Sequence, residues 1–256
     1  MIISCITITQ PGRLHLLRES VGDFARQTYE ARELIILHDG DSAFDQEVRK
    51  IAVQYGGAGP ISVHAVATMP LGALRNTAGA LAQGELVCQW DDDDRFHPQR
   101  LQVQKDALVR EGADFCFLSD QLHLYRDAGE LFWDDWDAQP YPLNFIQGTL
   151  MGRREKMPVY PGIARGEDTG ACLDILRAGH KICRLRDHGW CYVYVQHGNN
   201  VWPDTHHRAI SQGHALSAAR LMARLGVARE RLAEYVPPIE ATALKDRSGS
   251  MAFPIR

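Results

Sequence analysis

Four consecutive aspartates, Asp91 to Asp94, stand between the run Glu85-Leu-Val-Cys-Gln-Trp90 and the segment Arg95-Phe96-His97-Pro98. The run reads as a short buried strand, so four carboxylates gather at its carboxyl end, where an open α/β sheet binds ligands. Like charges packed this closely cost stability unless a cation, hydrogen bonds or solvent offset them. A divalent metal is the simplest offset, because hard cations take oxygen ligands, and such a metal commonly serves a phosphate. Capping of the next helix, with the remaining aspartates solvated, is the competing account of the same tetrad.

Other residues carry chemistry at matching places. Asp39, in His38-Asp39-Gly40-Asp41, follows a second buried run and is placed to accept from a nucleobase imide or a ribose hydroxyl, though Asp-Gly is also an ordinary turn dipeptide. Arg75, in Gly72-Ala-Leu-Arg75-Asn76, falls near a helix start, where the helix dipole prefers an acid. It therefore calls for an anion, either a diphosphate or a strand-end aspartate, unless it is a plain surface arginine. Glu167 and Asp168 open another helix, where acids are favourable as caps and where one of them can serve as a general base. His197 ends a strand before Gly198-Asn-Asn200 and reads as a metal ligand beside a movable loop. His206 and His207 read as solvated residues at the next helix start.

The elements that must position these groups alternate. Strands are expected at Ile2–Thr9, Glu33–His38, Ile61–Ala67, Glu85–Trp90 and Asp114–Leu118. Helices are expected at Arg13–Gln27, Asp45–Tyr55, Leu71–Ala82 and Pro98–Glu111, by apolar spacing and by glycine or proline at their ends. Strands separated by helix-length segments imply right-handed crossovers and a parallel sheet. From Gln121 the segments shorten and become aromatic (Tyr125, Phe132, Trp133, Trp136 and Tyr141, with prolines at 140 and 142), as for a mixed region over the sheet edge lining a pocket. Asp168–Ala178 returns to helix, Lys181–Leu185 and Trp190–Val195 read as strands, and His206–Leu225 and Ala228–Tyr235 as helices. The expectation is one domain over 1–236, with a nucleotide-type half (1–120), an acceptor-type half (121–205), C-terminal helices (206–236) and a tail (237–256).

The 256 residues are 45% hydrophobic and 23% charged with a net charge of −4, which suits a globular protein and gives no electrostatic case for nucleic acid. No apolar run reaches transmembrane length, which leaves only peripheral contact with a membrane open. The start lacks a basic segment and a cleavage site and reads as a strand. Six cysteines without CxxC spacing, several within strands, suit a reducing cytoplasm. Cys183, His188 and Cys191 fit no standard zinc pattern.

Order and spacing together resemble the inverting nucleotide-sugar glycosyltransferases of family 2, with the GT-A fold. The resemblance runs from Ile2 to about Trp202. It rests on Ser4-Cys-Ile-Thr-Ile-Thr9, Ala25-Arg-Gln-Thr-Tyr29, Glu33 to Asp41, Leu71 to Asn76, Ala82 to Pro98 and Gly166-Glu-Asp168. It implies a Rossmann-like α/β fold with a central, mostly parallel sheet, and metal-dependent hexosyl transfer from a nucleoside-diphosphate sugar, a UDP-sugar first, to a carbohydrate or other hydroxyl. Nucleotide contacts are implied for Thr9, Asp39, Arg75, Asp91 and Asp92, and Mn²⁺ or Mg²⁺ ligation for Asp93 and His197. The Glu-Asp pair supplies the catalytic residues Asp168 and Glu167, with Asp168 as base, while Asp94 goes to the following turn. Trp133, Trp136 and Tyr160 either stack on sugar rings or pack the second half. The usual Pro-Thr and Asp-Asp-Gly-Ser of the family are here Thr7-Ile-Thr-Gln10 and His38-Asp-Gly-Asp41. The processive QxxRW motif is absent. A nucleotide-sugar-binding protein without turnover is the alternative, and a sugar nucleotidyltransferase a further one. Acceptor and oligomeric state are not written in these motifs.

Overall fold

Aliphatic runs and amphipathic stretches alternate along the first half as β1 (Ile3–Thr9), α1 (Leu14–Ala25), β2 (Arg32–His38), α2 (Ser42–Tyr55), β3 (Ile61–Ala65), α3 (Leu71–Leu81) and β4 (Leu86–Gln89). After the aspartates come β5 (Arg95–Phe96), α4 (Arg100–Glu111), β6 (Phe115–Leu118), β7 (Asp120–Tyr125), β8 (Glu130–Asp135), β9 (Met151–Arg153) and α5 (Glu167–Arg177). The chain ends with β10 (Ile182–Leu185), β11 (Tyr192–Gln196), α6 (Asp204–His214), α7 (Ala218–Leu232), β12 (Ala243–Lys245) and β13 (Ala252–Pro254). This is a computed structural model that describes residues 1–137 and 143–255. Tyr141 and the prolines at 140 and 142, and Arg256 of the expected tail, lie outside the described residues.

The main sheet has seven strands in the order β10-β6-β9-β4-β1-β2-β3. Only β9 runs antiparallel to its neighbours, and the other pairs are parallel. Every residue of β1 is buried, as expected of a parallel strand covered on both faces. Thr9 pairs with His38 and Ile6 with Gln89. Thr9, Asp39 and the aspartate tetrad thus share the carboxyl edge of adjacent strands.

The region after Gln121 is more regular than a mixed cover over a sheet edge. Together with β5 it builds a second sheet of six strands, β13-β12-β8-β7-β11-β5. The expected tail belongs to it: β12 pairs with β8 and β13 with β12, and Ile239, Leu244 and Ile255 are buried. Three-residue strands that pair with partners far away in sequence leave no local period to read. The C-terminal helices also divide differently, at Ala215 to Ser217 instead of at Leu225 to Ala228. Ala215 bridges to Asp134 and the Leu216 amide donates to the Trp133 carbonyl at 2.9 Å, so the edge of β8 takes the backbone that the helix would have used. The strand expected from Trp190 begins at Tyr192, after a 3-10 turn over Gly189–Cys191. All six cysteines are buried and free. No helix among the described residues is long and apolar enough to cross a membrane.

Candidate active site

The backbone leading into the tetrad is clamped from both sides. Thr7 donates its hydroxyl to the Trp90 carbonyl at 2.7 Å, and Ser20 of α1 donates to the Asp91 carbonyl at 3.0 Å. Behind the tetrad, Arg95 pairs with the buried Asp23 of α1 at 2.7 Å, and the Phe96 amide donates to the same carboxylate at 2.9 Å. The four carboxylates are then separated by their partners. Asp91 accepts from Arg75 at 2.9 Å and from the Gln89 amide at 3.0 Å. Asp92 and Asp93 share the Arg13 guanidinium, 3.1 Å from each. Asp94 turns inward to accept from the Tyr192 hydroxyl and from the Val195 amide at 3.0 Å. It therefore ties the tetrad to β11 and does not serve the turn that follows it, because two donors far away in sequence take its oxygens.

Arg75 is the hub of the opposite wall. Its side chain is 7% exposed and bridges Asp91 to Glu167, at 2.9 Å from each. Burial opposes its charge, but the neighbouring carboxylates outweigh that and raise its pKa. The helix carrying it is held against the approach to α5. Asn76 donates to the Tyr160 carbonyl and accepts from the Tyr160 amide, both at 2.8 Å. At Gly72 a Cβ would fall 1.9 Å from the Pro161 carbonyl oxygen, so only glycine lets α3 pack this close. The two acids at the start of α5 consequently differ. Glu167 is buried against Arg75, whereas Asp168 opens into the cleft and accepts only from the Thr169 amide and hydroxyl. Burial raises the pKa of both, and the Arg75 charge partly offsets it.

On the other side, the His197 Nε2 lies 3.2 Å from the Asp93 Oδ2. Burial works against ionisation of Asp93, but the His197 hydrogen bond and the Arg13 charge prevail and hold its pKa below the ordinary carboxylate range. Burial and the adjacent Asp93 charge push Asp92 the other way, up to about 7. The Arg13 charge and the Thr9 hydroxyl facing this carboxylate restrain that rise. The donor chemistry fits Mn²⁺ or Mg²⁺, since a carboxylate and an imidazole converge. Among the described residues no group of three or more His, Cys, Asp or Glu is arranged to hold a metal. A cation on Asp93 would therefore lean on its ligand and would have to displace Arg13.

The cleft has two lobes meeting at Asp91, Gly166, Asp168, Tyr194 and Trp202. The smaller, about 170 Å³, is lined by Arg13, Arg75, Asp91 to Asp94, Glu167 and Asp168. The larger, about 310 Å³, runs over Gln121, His123, Trp136, Tyr192 and His207 to Asp168. Thr9 and Asp39 stand on the same sheet edge but outside the lining of both lobes. Within the Asp39 turn, Asp41 caps α2 by accepting from the Phe44 amide at 2.9 Å, and the buried His38 reaches Asp45 at 3.1 Å. Asp39 is the acid of this turn left available to a ligand.

Of the three aromatic candidates only Trp136 lines the cleft. Trp133 is 1% exposed with its indole N–H on Asp120 at 2.6 Å, and Tyr160 is 3% exposed behind Arg75. His206 is exposed as expected, but His207 is buried, pressed against Tyr194 with ring centroids 5.0 Å apart. The sequence reading missed Arg13, although Gln10-Pro-Gly-Arg13 leaves β1 at the edge where the tetrad lies. It also missed Gln89, His123 and Gln121, whose neighbours come from distant segments.

The family model described as glycosyl transferase family 2 matches residues 5–156, more than half of the chain. A curated relative, WcaA of Escherichia coli (strain K12), is 28% identical over 154 residues, 58% of this chain and 53% of its own; its name places it provisionally as a colanic acid biosynthesis glycosyl transferase. The chain thus spans about half the length of that relative. Among solved structures, S. aureus TarS superposes with a TM-score of 0.58 at 17% identity, covering 83% of this chain and 42% of TarS. Its 1–349 fragment has been solved with UDP and with UDP-GlcNAc. The mannosyltransferase PcManGT from Pyrobaculum calidifontis, solved with GDP-Man and Mn²⁺, gives a TM-score of 0.57 at 14% identity, over 92% of this chain and 63% of that one. At these identities the solved structures speak for the GT-A fold alone, and the family model carries the assignment: the chain belongs to glycosyl transferase family 2.

Proposed function

We propose that this domain moves a sugar from a nucleoside-diphosphate sugar, a UDP-sugar by preference, to an acceptor hydroxyl with inversion at the anomeric carbon, Asp168 being the general base. The observation that carries this reading is that Asp168 stands where the two lobes meet, and among the described residues only the smaller lobe is lined by arginines and by Asp92, Asp93 and Asp94. A donor diphosphate belongs in the charged lobe and an acceptor in the other. Burial keeps the Asp168 carboxyl above its ordinary pKa, which makes it a better proton acceptor than a solvated aspartate.

In the proposed reaction Asp168 takes the proton of the acceptor hydroxyl. The oxygen attacks the anomeric carbon from the face opposite the diphosphate, and the bond from that carbon to the diphosphate oxygen breaks, its electrons leaving with the nucleoside diphosphate. Asp39 and Thr9 face the nucleoside from the sheet edge. Asp91 and Asp92 lie toward the ribose and phosphates. Glu167 is a positioning residue that holds Arg75 for the donor. A Mn²⁺ or Mg²⁺ ion on Asp93 and His197 would supply positive charge to offset the leaving diphosphate. Arg13, which lines the charged lobe, would add a further positive charge for the diphosphate. The Gly198–Pro203 loop carries Trp202 over both lobes and, by closing, limits hydrolysis of the donor. The free, buried cysteines fit a cytoplasmic site of action.

The test is nucleoside diphosphate release from a panel of UDP- and GDP-sugars with Mn²⁺. The wild type should turn over one of them, and chelation or Asp93→Asn should reduce the rate by at least about tenfold, as for loss of a transition-state charge contact. Full activity of Asp93→Asn would sink the metal assignment. Donor binding without release across all acceptors would favour the binding-protein reading.

A further inference from the structure

The larger lobe has a hydrogen-bonding character that narrows what it can accept. No lysine or arginine is among the described residues lining it, and its ionisable side chains are two carboxylates, Asp91 and Asp168, three histidines and two tyrosines. Residues 138–142, Ala-Gln-Pro-Tyr-Pro, carry no charge either. Four polar atoms of lining residues are buried without a hydrogen-bond partner: the Gln121 side-chain carbonyl, His123 Nε2, the Trp136 indole N–H and His207 Nδ1. Gln121 is 4% exposed and His123 fully buried. Buried polar groups are normally satisfied, so four orphans on one cavity mark a place built for an absent ligand or water.

The His123 ring is fixed by what surrounds it. Its Nδ1 lies 2.9 Å from the Asp134 Oδ2, which also accepts from Ser211 at 3.1 Å, and the Tyr125 ring stacks on it at 4.6 Å. A carboxylate can only accept, so Nδ1 carries the proton and Nε2 is left for a ligand. The unused set is then the Gln121 carbonyl, which accepts, the Trp136 N–H, which donates, and one ring nitrogen each of His123 and His207, beside two carboxylates. Phosphate and uronate groups only accept and are negative, so they cannot use the Gln121 carbonyl and they meet two like charges. A hydroxyl both donates and accepts, and suits each of these atoms. Trp136 adds a ring, backed by His214 at 4.7 Å, of the kind on which an apolar sugar face rests. A volume of about 310 Å³ is at the small end for ligand pockets and suits a single sugar unit at the reacting end.

We propose that the acceptor is an uncharged saccharide, held by Trp136 and by hydroxyl contacts to Gln121 and His123, and not a phosphorylated or acidic sugar. The proposal rests on the glycosyltransferase reading, but its test does not need turnover. Saturation-transfer NMR is run on the full chain with UDP and Mg²⁺. The probes are methyl glycosides of glucose, galactose, mannose and N-acetylglucosamine, their 6-phosphates and methyl glucuronide. At least one neutral glycoside should bind at least tenfold more tightly than its charged counterpart. That binding should fall about tenfold in Gln121→Leu and be lost in Trp136→Ala, while Trp136→Tyr retains part of it. Unchanged UDP affinity shows that each variant is folded. Charged sugars binding as tightly as neutral ones, neutral binding indifferent to both sites, or no neutral binding in the millimolar range would overturn it. Absence of nucleoside diphosphate release alongside selective neutral binding would instead count against the transfer reaction and leave the saccharide site standing.

Discussion

Arg75 supports both the fold and the chemistry, and Arg75→Met separates the two. The side chain lies 2.9 Å from Asp91 and from Glu167, with Arg75 7% exposed, Glu167 5% and Asp91 20%. Methionine keeps much of the volume but leaves two carboxylates without their cation. Removing one partner of a buried pair costs about 3–5 kcal/mol, and the partial exposure of Asp91 favours the lower end. With about 2–4 °C per kcal/mol for a large domain, Tm should fall by roughly 6–20 °C. The loss should depend on pH. Glu167 and Asp168 already have raised pKa values from burial, and Arg75 restrains the rise. A carboxyl whose folded pKa exceeds its unfolded one contributes stability at low pH and loses it as pH climbs through the folded pKa. Without Arg75 that climb costs more, so the Tm deficit should be largest at about pH 8 and shrink toward about pH 4, where carboxyls protonate. Thermal melts of both proteins across this range make the measurement, with Glu167→Gln added to Arg75→Met to recover part of the loss. A Tm loss below about 2 °C, or one of equal size at every pH, would refute the reasoning.

Gly72→Ala places a methyl 1.9 Å from the Pro161 carbonyl oxygen, so the start of α3 must shift away from the loop before α5. Melts should show a loss of about 1–3 kcal/mol, as overpacking gives, and an unchanged Tm would contradict the close approach. Arg13→Ala removes the guanidinium that Asp92 and Asp93 share, so Mn²⁺ should bind the donor-free protein more tightly, by electron paramagnetic resonance titration. The same change should raise the KM for the donor, and weaker Mn²⁺ binding would sink the competition between Arg13 and metal.

Much of the first half was legible because its signals are local. Buried strands such as Leu34 to His38 and helices such as Leu71 to Leu81 carry their own period, and their ends fall close to the expected places. Asp93 and His197 are far apart in sequence yet meet at 3.2 Å, since each ends a strand at the same edge of the fold. What was not legible depends on pairing at a distance. Asp94 reads as a turn residue until Tyr192 and Val195 arrive from β11. Leu244 gives no sign that it will pair with Leu131, and Ala215 none that it will leave its helix for Asp134. His207 looks solvated beside Asp204 and His206, and is buried only because Tyr194 packs on it. Arg13 is visible in the sequence, but its partners become evident only when β1 and β4 are neighbours.

Nucleoside diphosphate release by Asp168→Asn tests the central claim most directly, read together with the affinity of the variant for UDP. Asparagine keeps the shape at the start of α5 but cannot take a proton from the acceptor. The account predicts a rate lowered by about 10²–10⁴-fold, the usual contribution of a positioned base, with UDP affinity unchanged. A variant that binds UDP and releases it at the wild-type rate would contradict the assignment of Asp168.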